Sequence, residues 1–234
     1  MKVSKTLETI RKLSLMMVDD ERLFFSRFGD GDIFIMSGKG ESLHDKNENL
    51  ARELIDSIQI KDPRYLKGVA VNYEREKHMK PGMFAPHKNS DDLEKMLVSF
   101  TDENCFESAV AFHYAYCFYR DLFDEFIDKH IRGKRIMYIG STTKKNMEDL
   151  FGAIKYFVKT PERNSYNQID SIWSQVLDNV SDCDIVIPSS GMTSRVINKR
   201  LWNLGVNLKS IDFGSIVDDA DGKTTRTWIR MKNK

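Results

Sequence analysis

From Lys134 onward the chain alternates short apolar runs of β type with helical stretches, and this alternation limits the possible folds more than any other feature. Lys134–Ile139, Ile154–Val158, Asp184–Ile187 and Leu208–Phe213 read as strands. Between them lie helical stretches: one running from Gly140-Ser-Thr-Thr143 toward Phe151, Asn167–Val180 through Ile169, Ile172, Trp173, Val176 and Leu177, and Arg195–Leu204 closed by Gly205. Strands joined by crossover helices cannot pair as hairpins, so the spacing predicts βαβ units on a parallel sheet.

The first half is less regular. Ser4–Met17 carries Leu7, Ile10, Leu13 and Met17 at helical spacing, and Asn47–Ile60 does the same before Asp62-Pro63 stops it. Leu23–Phe28 and Asp32–Met36 read as two strands about a Gly29-Asp30-Gly31 turn, and Lys67–Asn72 as a buried strand. Tyr73–Asn89, polar and broken by Pro81, Gly82 and Pro86, reads as a loop facing substrate. Asp91–Phe100 and a long aromatic Glu107–His130 read as helices, and Lys223–Lys234 as a solvated end. The expectation is α/β: one Rossmann-like domain over 1–234, its mostly parallel sheet flanked by helices. A motif-bearing part would span about 1–130 and a βαβ part about 131–220.

With 234 residues, 41% of them hydrophobic, the chain can bury one sizeable core. Lys and Arg number 36 against 35 Asp and Glu, which leaves no general pull toward nucleic acid. No run approaches the length of a membrane span. Three cysteines without metal-ligand spacing, Cys105, Cys117 and Cys183, fit a reducing compartment. The expected location is cytoplasmic, with room for a membrane-peripheral acceptor.

Chemistry concentrates at four turns. In Ser26-Arg-Phe-Gly-Asp-Gly-Asp32, Asp30 and Asp32 stand two apart and can approach one divalent cation, while Arg27 can complement a diphosphate. An isolated Asp-x-Asp is ordinarily a solvated surface turn, but here apolar runs bury its base. The turns Gly140-Ser141-Thr142-Thr143 and Ser189-Ser-Gly191-Met-Thr193-Ser194 lead from strands into helices, where backbone N–H groups meet anions. Neither has the Gly pattern of a dinucleotide or P-loop site, and taken alone each is a good helix cap. Thr160–Tyr166 offers Asn164 and Tyr166 to a base or sugar, and Ser210–Ser215 offers Asp212 at a strand end. His113 and His130 read as packed or surface histidines; His78 and His87 lie in the polar loop.

In this order the segments resemble the GT-D fold glycosyltransferases, a family formerly known as a domain of unknown function. Arg27-Phe-Gly-Asp-Gly-Asp32 is similar to the family's Arg-Phe-Gly-Asp-Gly-Glu signature, with Asp32 in place of Glu. The stretch from Lys134 through Gly140, the Thr160-Pro to Asn164 turn, Asp184–Gly191 and Ile211-Asp-Phe-Gly214 look like its later blocks. The resemblance implies transfer of a sugar, a hexosyl group by expectation, from a nucleoside-diphosphate sugar to a glycan or other hydroxyl acceptor, with a UDP-sugar as the leading donor. It implies Mn²⁺ or Mg²⁺ held by Asp30 and Asp32. Asp212 joins these as a catalytic candidate, and the donor would meet Arg27, Gly29, Gly140, Ser141, Thr142, Asn164, Gly191, Thr193 and Ser194. Ser215 stands where the family commonly shows His, which would leave an all-oxygen shell nearly indifferent between Mg²⁺ and Mn²⁺. Glu74 and Glu76 are further candidates for a base. Two alternatives remain from sequence: a nucleoside-cofactor methyltransferase, for which the Gly140 turn is too poor in glycine, and a non-catalytic nucleotide- or carbohydrate-binding module.

Overall fold

A computed structural model describes residues 1–41, 44–71, 76–79, 83–84, 90–224 and 226–232. Among them, eight strands form one sheet. They are β1 (Lys2–Val3), β2 (Leu23–Phe28), β3 (Tyr65–Val69), β4 (Cys105–Ser108), β5 (Ile136–Gly140), β6 (Ile154–Lys159), β7 (Ile185–Ser189) and β8 (Lys209–Ile211). Their order across the sheet is β1-β4-β3-β2-β8-β7-β5-β6. Every pairing is parallel, so the sheet is more uniform than the mostly parallel one expected.

Helices cover both faces. On one lie α1 (Thr6–Met16), α5 (Ala111–Phe118), α6 (Arg120–His130), α7 (Lys144–Phe151), α10 (Ile216–Ala220) and α11 (Thr227–Lys232). On the other lie α2 (Asp30–Met36), α3 (Glu48–Ile58), α4 (Ser90–Val98), α8 (Ile169–Leu177) and α9 (Thr193–Leu204). Alternate strand residues feed the two cores. Ile136 and Tyr138 pack with the first group while Met137 and Ile139 pack with the second. This is why the strands read as continuous apolar runs.

Four readings change. Asp32–Met36 is helix, not strand: Asp32 Oδ2 accepts the Gly29 N–H at 2.8 Å and Ile33 N–H reaches Gly29 O at 3.3 Å. A carboxylate satisfying an orphan N–H at the first turn outweighs the β-type preference of Ile33, Phe34 and Ile35. Glu107–His130 is not one helix but the end of β4 followed by α5 and α6, with Tyr119 between the helices at φ −138° and ψ 58°. Asn167–Val180 narrows to α8 between two short 3₁₀ turns, Ser165–Gln168 and Val180–Asp182. The basic tail is not simply solvated, because α11 buries Trp228 and Ile229 in the first core. Most of Tyr73–Asn89, with Glu74 and His87, lies outside the described residues.

The catalytically relevant consequence is an edge. The carboxyl ends of β2, β8 and β7 are neighbours, and all three turns that follow them carry polar side chains. Ligands in parallel α/β sheets bind along this edge.

Candidate functional site

β2 runs out at Phe28, and its penultimate residue Arg27 turns its side chain back over β8. The Arg27 Nε donates to Ala109 O, and Nη1 stands 3.6 Å from Asp212 Oδ1. Gly214 sits under the guanidinium at φ 64°, where a Cβ would collide with both Arg27 and His113. Glycine is therefore required twice over, by its backbone and by the close approach. Burial lowers the Arg27 pKa to about 10, opposed by Asp212, so the group stays cationic at neutral pH. Its side chain is 14% exposed.

Asp212 is only 1% exposed. Its Oδ1 accepts the Gly214 N–H at 2.7 Å and its Oδ2 faces Arg195 Nη1 at 3.1 Å. Arg195 continues the chain of charges: Nε stands 3.1 Å from Asp32 Oδ1, and Nη1 donates to Gly191 O at 2.6 Å. Arg27, Asp212, Arg195 and Asp32 thus alternate in sign beneath the carboxyl ends of β2, β8 and β7. Desolvation raises the Asp32 pKa, against the pull of Arg195 and the Gly29 N–H. Asp32 Oδ1, Asp212 Oδ2 and Arg195 Nε are buried ion-pair atoms outside hydrogen-bonding angles. They are held by charge and remain free to form a directed bond to something else.

Asp30 differs from Asp32. It is exposed at the start of α2, and among the described residues its Oδ1 accepts only the adjacent Gly31 N–H at 2.9 Å. Among the described residues no group of three His, Cys, Asp or Glu is placed to hold a metal ion. The oxygens that suit a divalent cation are Asp30's open carboxylate and Asp32's Oδ1, which has no hydrogen bond; phosphate oxygens would have to complete such a shell.

The expected donor contacts divide sharply. At the Gly191 turn Thr193 Oγ1 bonds Ser165 Oγ at 2.7 Å, and Ser194 Oγ accepts the Ser190 N–H at 2.9 Å. Both hydroxyls face inward, leaving the backbone to a ligand. Met192 lies against Gly31, which joins this turn to the Asp30–Asp32 motif.

The turn at Gly140 is already occupied. Asp221 Oδ1 accepts from Thr143 N–H, Thr143 Oγ1 and Asn146 Nδ2 at 2.9, 2.8 and 3.0 Å. Lys159 Nζ donates to Ser141 O and Thr142 O, while the Thr142 hydroxyl pairs with Tyr138 at 2.6 Å. Asn164 is similarly committed: Asp45 N–H donates to its Oδ1 at 2.9 Å and its Nδ2 donates to Asp45 Oδ2 at 2.8 Å. Glu76 accepts from Thr6 N–H and Oγ1 at 2.7 and 2.6 Å, an anchor for α1. Ser215 is spent on Trp228 Nε1 at 2.9 Å and His113 Nε2 at 3.0 Å. The Ser215 backbone N–H also donates to His113 Nε2 at 3.2 Å, so that nitrogen is the acceptor and the Ser215 hydroxyl donates to it. Burial, then Arg27 and Arg226, hold the His113 pKa well below the ordinary histidine value.

Sequence reasoning missed Arg195, His44 and Asp221, while His113 is the packed histidine expected from sequence, 2% exposed. Arg195 left one trace: a cation in the first turn of a helix opposes the helix dipole and asks for an anionic partner. The others are brought in by tertiary folding alone.

A family model described as glycosyltransferase GT-D fold matches residues 25–233. A structure described as a new glycosyltransferase (DUF1792) from Streptococcus sanguinis is similar in fold, with TM-score 0.75 and 16% identity over 94% of this chain and 83% of that one. A second, described as domain of unknown function 1792 with a distinct glycosyltransferase fold, gives TM-score 0.67 and 21% identity over 96% and 83%. No curated protein matches by sequence.

Proposed function

Because the chain belongs to the GT-D fold glycosyltransferase family, and is accordingly a glycosyltransferase, we propose that it draws its sugar from a nucleoside-diphosphate sugar, a UDP-sugar first, and delivers it to a hydroxyl of a glycan or glycoconjugate. The observation that carries this reading is the buried Arg27–Asp212–Arg195–Asp32 array, beside which the carboxylate of Asp30 is exposed. Family membership sets aside the methyltransferase and the non-catalytic module.

In this reading Arg27 binds the diphosphate and stabilises the charge that builds on it as the glycosidic bond breaks. Asp212, buried with Oδ1 bonded to the Gly214 N–H and Oδ2 ion-paired to Arg195, orients Arg27 and Arg195. Asp30 and Asp32 would hold the divalent cation, which when bound supplies neutralising charge at the diphosphate. The backbone of Gly191–Ser194 lies where the phosphates enter. With Cys105, Cys117 and Cys183 all free thiols, we place the enzyme in a reducing compartment such as the cytoplasm.

A panel of nucleoside-diphosphate sugars, each assayed for release of the nucleoside diphosphate with Mn²⁺, with Mg²⁺ and with EDTA, tests the proposal. Turnover of at least one UDP-sugar, lost in EDTA, is expected. Asp30→Asn should lower it at least 100-fold with the melting temperature unchanged, since Asp30 lies at the surface. Turnover that survives EDTA and Asp30→Asn at wild-type rate would remove the metal from the mechanism.

A further inference from the structure

The N-terminus of α9 is open, and a buried histidine that no sequence motif marks is turned toward it. Ser194 N–H and Arg195 N–H bond back to Gly191 O and Met192 O at 3.1 and 3.0 Å. The N–H groups of Gly191, Met192 and Thr193 donate to nothing among the described residues. Such groups, at the positive end of a 12-residue helix, call for an anion.

His44 supplies the independent observation. His44 is 4% exposed, and its Nδ1 is buried with no hydrogen-bond partner among the described residues. A polar ring buried without such a bond costs free energy, so keeping a histidine beside α9 asks for a role other than packing. The opposite ring nitrogen is the one turned to the helix end: Nε2 lies 3.0 Å from where a Cβ on Gly191 would stand. Two further contacts hold it there. The reciprocal pair between Asp45 and Asn164 ties the residue next to His44 onto the neighbouring strand-end turn, and the Glu41 backbone N–H donates to His44 O at 2.9 Å. Gly191 itself adopts φ 62°, so the close approach and the backbone both exclude a side chain there.

We propose that His44 Nε2 and the free amides of Gly191–Thr193 form a phosphate-binding subsite, taking a phosphoryl group of the diphosphate moiety. The inference rests on the nucleotide-sugar reading only for the identity of the natural ligand; the anion chemistry stands by itself. It also gives Asn164 a role different from base or sugar recognition, as the residue that secures His44.

Inorganic pyrophosphate, UDP and uridine, titrated calorimetrically in EDTA, separate the subsite from the rest of the donor site. His44→Leu should weaken pyrophosphate and UDP by about the same factor, on the order of ten-fold, and leave uridine unchanged. His44→Gln, which keeps an N–H donor, should recover part of the loss. In the unaltered protein, amide spectra should show their largest pyrophosphate-dependent shifts at Gly191, Met192 and Thr193, a measurement that holds even where a variant folds poorly. Pyrophosphate affinity unchanged within two-fold in His44→Leu, shifts centred on Thr143 instead, or no pyrophosphate binding by the wild type would each overturn the proposal. Binding of pyrophosphate without UDP would support the subsite while removing the nucleotide-sugar reading.

Discussion

The turns that lead into α7 and α9 are built from the same small polar residues and follow neighbouring strands, yet one is filled and the other is not. At α7 the carboxylate of Asp221 collects the Thr143 N–H and hydroxyl and the Asn146 amide. At α9 three amides have no partner among the described residues, beside a buried imidazole. A helix N-terminus is a site for an anion in both cases. The difference is who provides the anion, and at α7 the fold provides its own. A phosphate approaching α7 would have to displace a carboxylate that Lys223 also holds at 3.4 Å.

The largest effect that tests this comparison comes from closing the open turn. Gly191→Val places a β-branched residue at φ 62° and drives its Cβ into the space of His44. UDP affinity should fall by about 100-fold, equivalent to roughly 2–3 kcal/mol. The matched change at the filled turn, Thr143→Val, should alter UDP affinity by less than about two-fold while costing stability through the lost Asp221 bond. Calorimetric titration of both variants checks the pair. Equal losses would mean that α7 also meets the donor and that Asp221 gives way to it.

Sequence alone revealed the parallel architecture, because strands buried on both faces leave apolar runs such as Ile136–Ile139 that no surface segment would tolerate. It also revealed the Arg27–Asp32 motif, where the unusual density of Gly and Asp on an apolar base marks a site. It misplaced what depends on partners distant in the chain. Nothing local distinguishes Thr143 from Ser194, since Asp221 caps the first from 78 residues away. Nor does the local pattern show that Ile33–Met36 is helical, because one bond from Gly29 N–H to Asp32 starts the helix against the β preference of its side chains. The same holds for Asn164, whose amide looked free for a ligand and is consumed by Asp45, 119 residues earlier.

An intermediate effect comes from opening the filled turn. Asp221→Ala removes a long-range cap and should cost about 1 kcal/mol, lowering the melting temperature by roughly 2–4 °C. The pH dependence carries a second signature. Burial alone would raise the Asp221 pKa, but the bonds from Thr143 and Asn146, with the charge of Lys223, outweigh it and hold the pKa below the usual 3.8. A depressed carboxylate contributes stability above its unfolded pKa and loses it as pH falls through the folded one. The wild type should therefore shed this contribution on acidification below about pH 4, and the Ala variant should lack that part of the acid slope. Thermal melts from pH 3 to 7 would show it. Emptied of Asp221, α7 should also take up inorganic phosphate weakly, while UDP affinity at α9 stays within about two-fold.

The smallest effect is the most discriminating within the open turn itself. Ser194 stands in the first turn of α9 and looks like a phosphate ligand, but its Oγ accepts the Ser190 N–H at 2.9 Å and approaches Ser190 Oγ at 3.4 Å. The hydroxyl faces into the protein and is 1% exposed with the rest of its side chain. Ser194→Ala should therefore raise the UDP dissociation constant by less than about three-fold, below roughly 0.7 kcal/mol, through slight loosening of the turn. Its main consequence should be a lost cap on Ser190 N–H, read as a stability loss of about 1 kcal/mol in urea. If Ser194→Ala instead weakens UDP as much as Gly191→Val, the hydroxyl must rotate outward to meet the phosphate. Binding at α9 would then depend on side-chain rearrangement, and the contrast with α7 would lie in mobility as well as in vacancy.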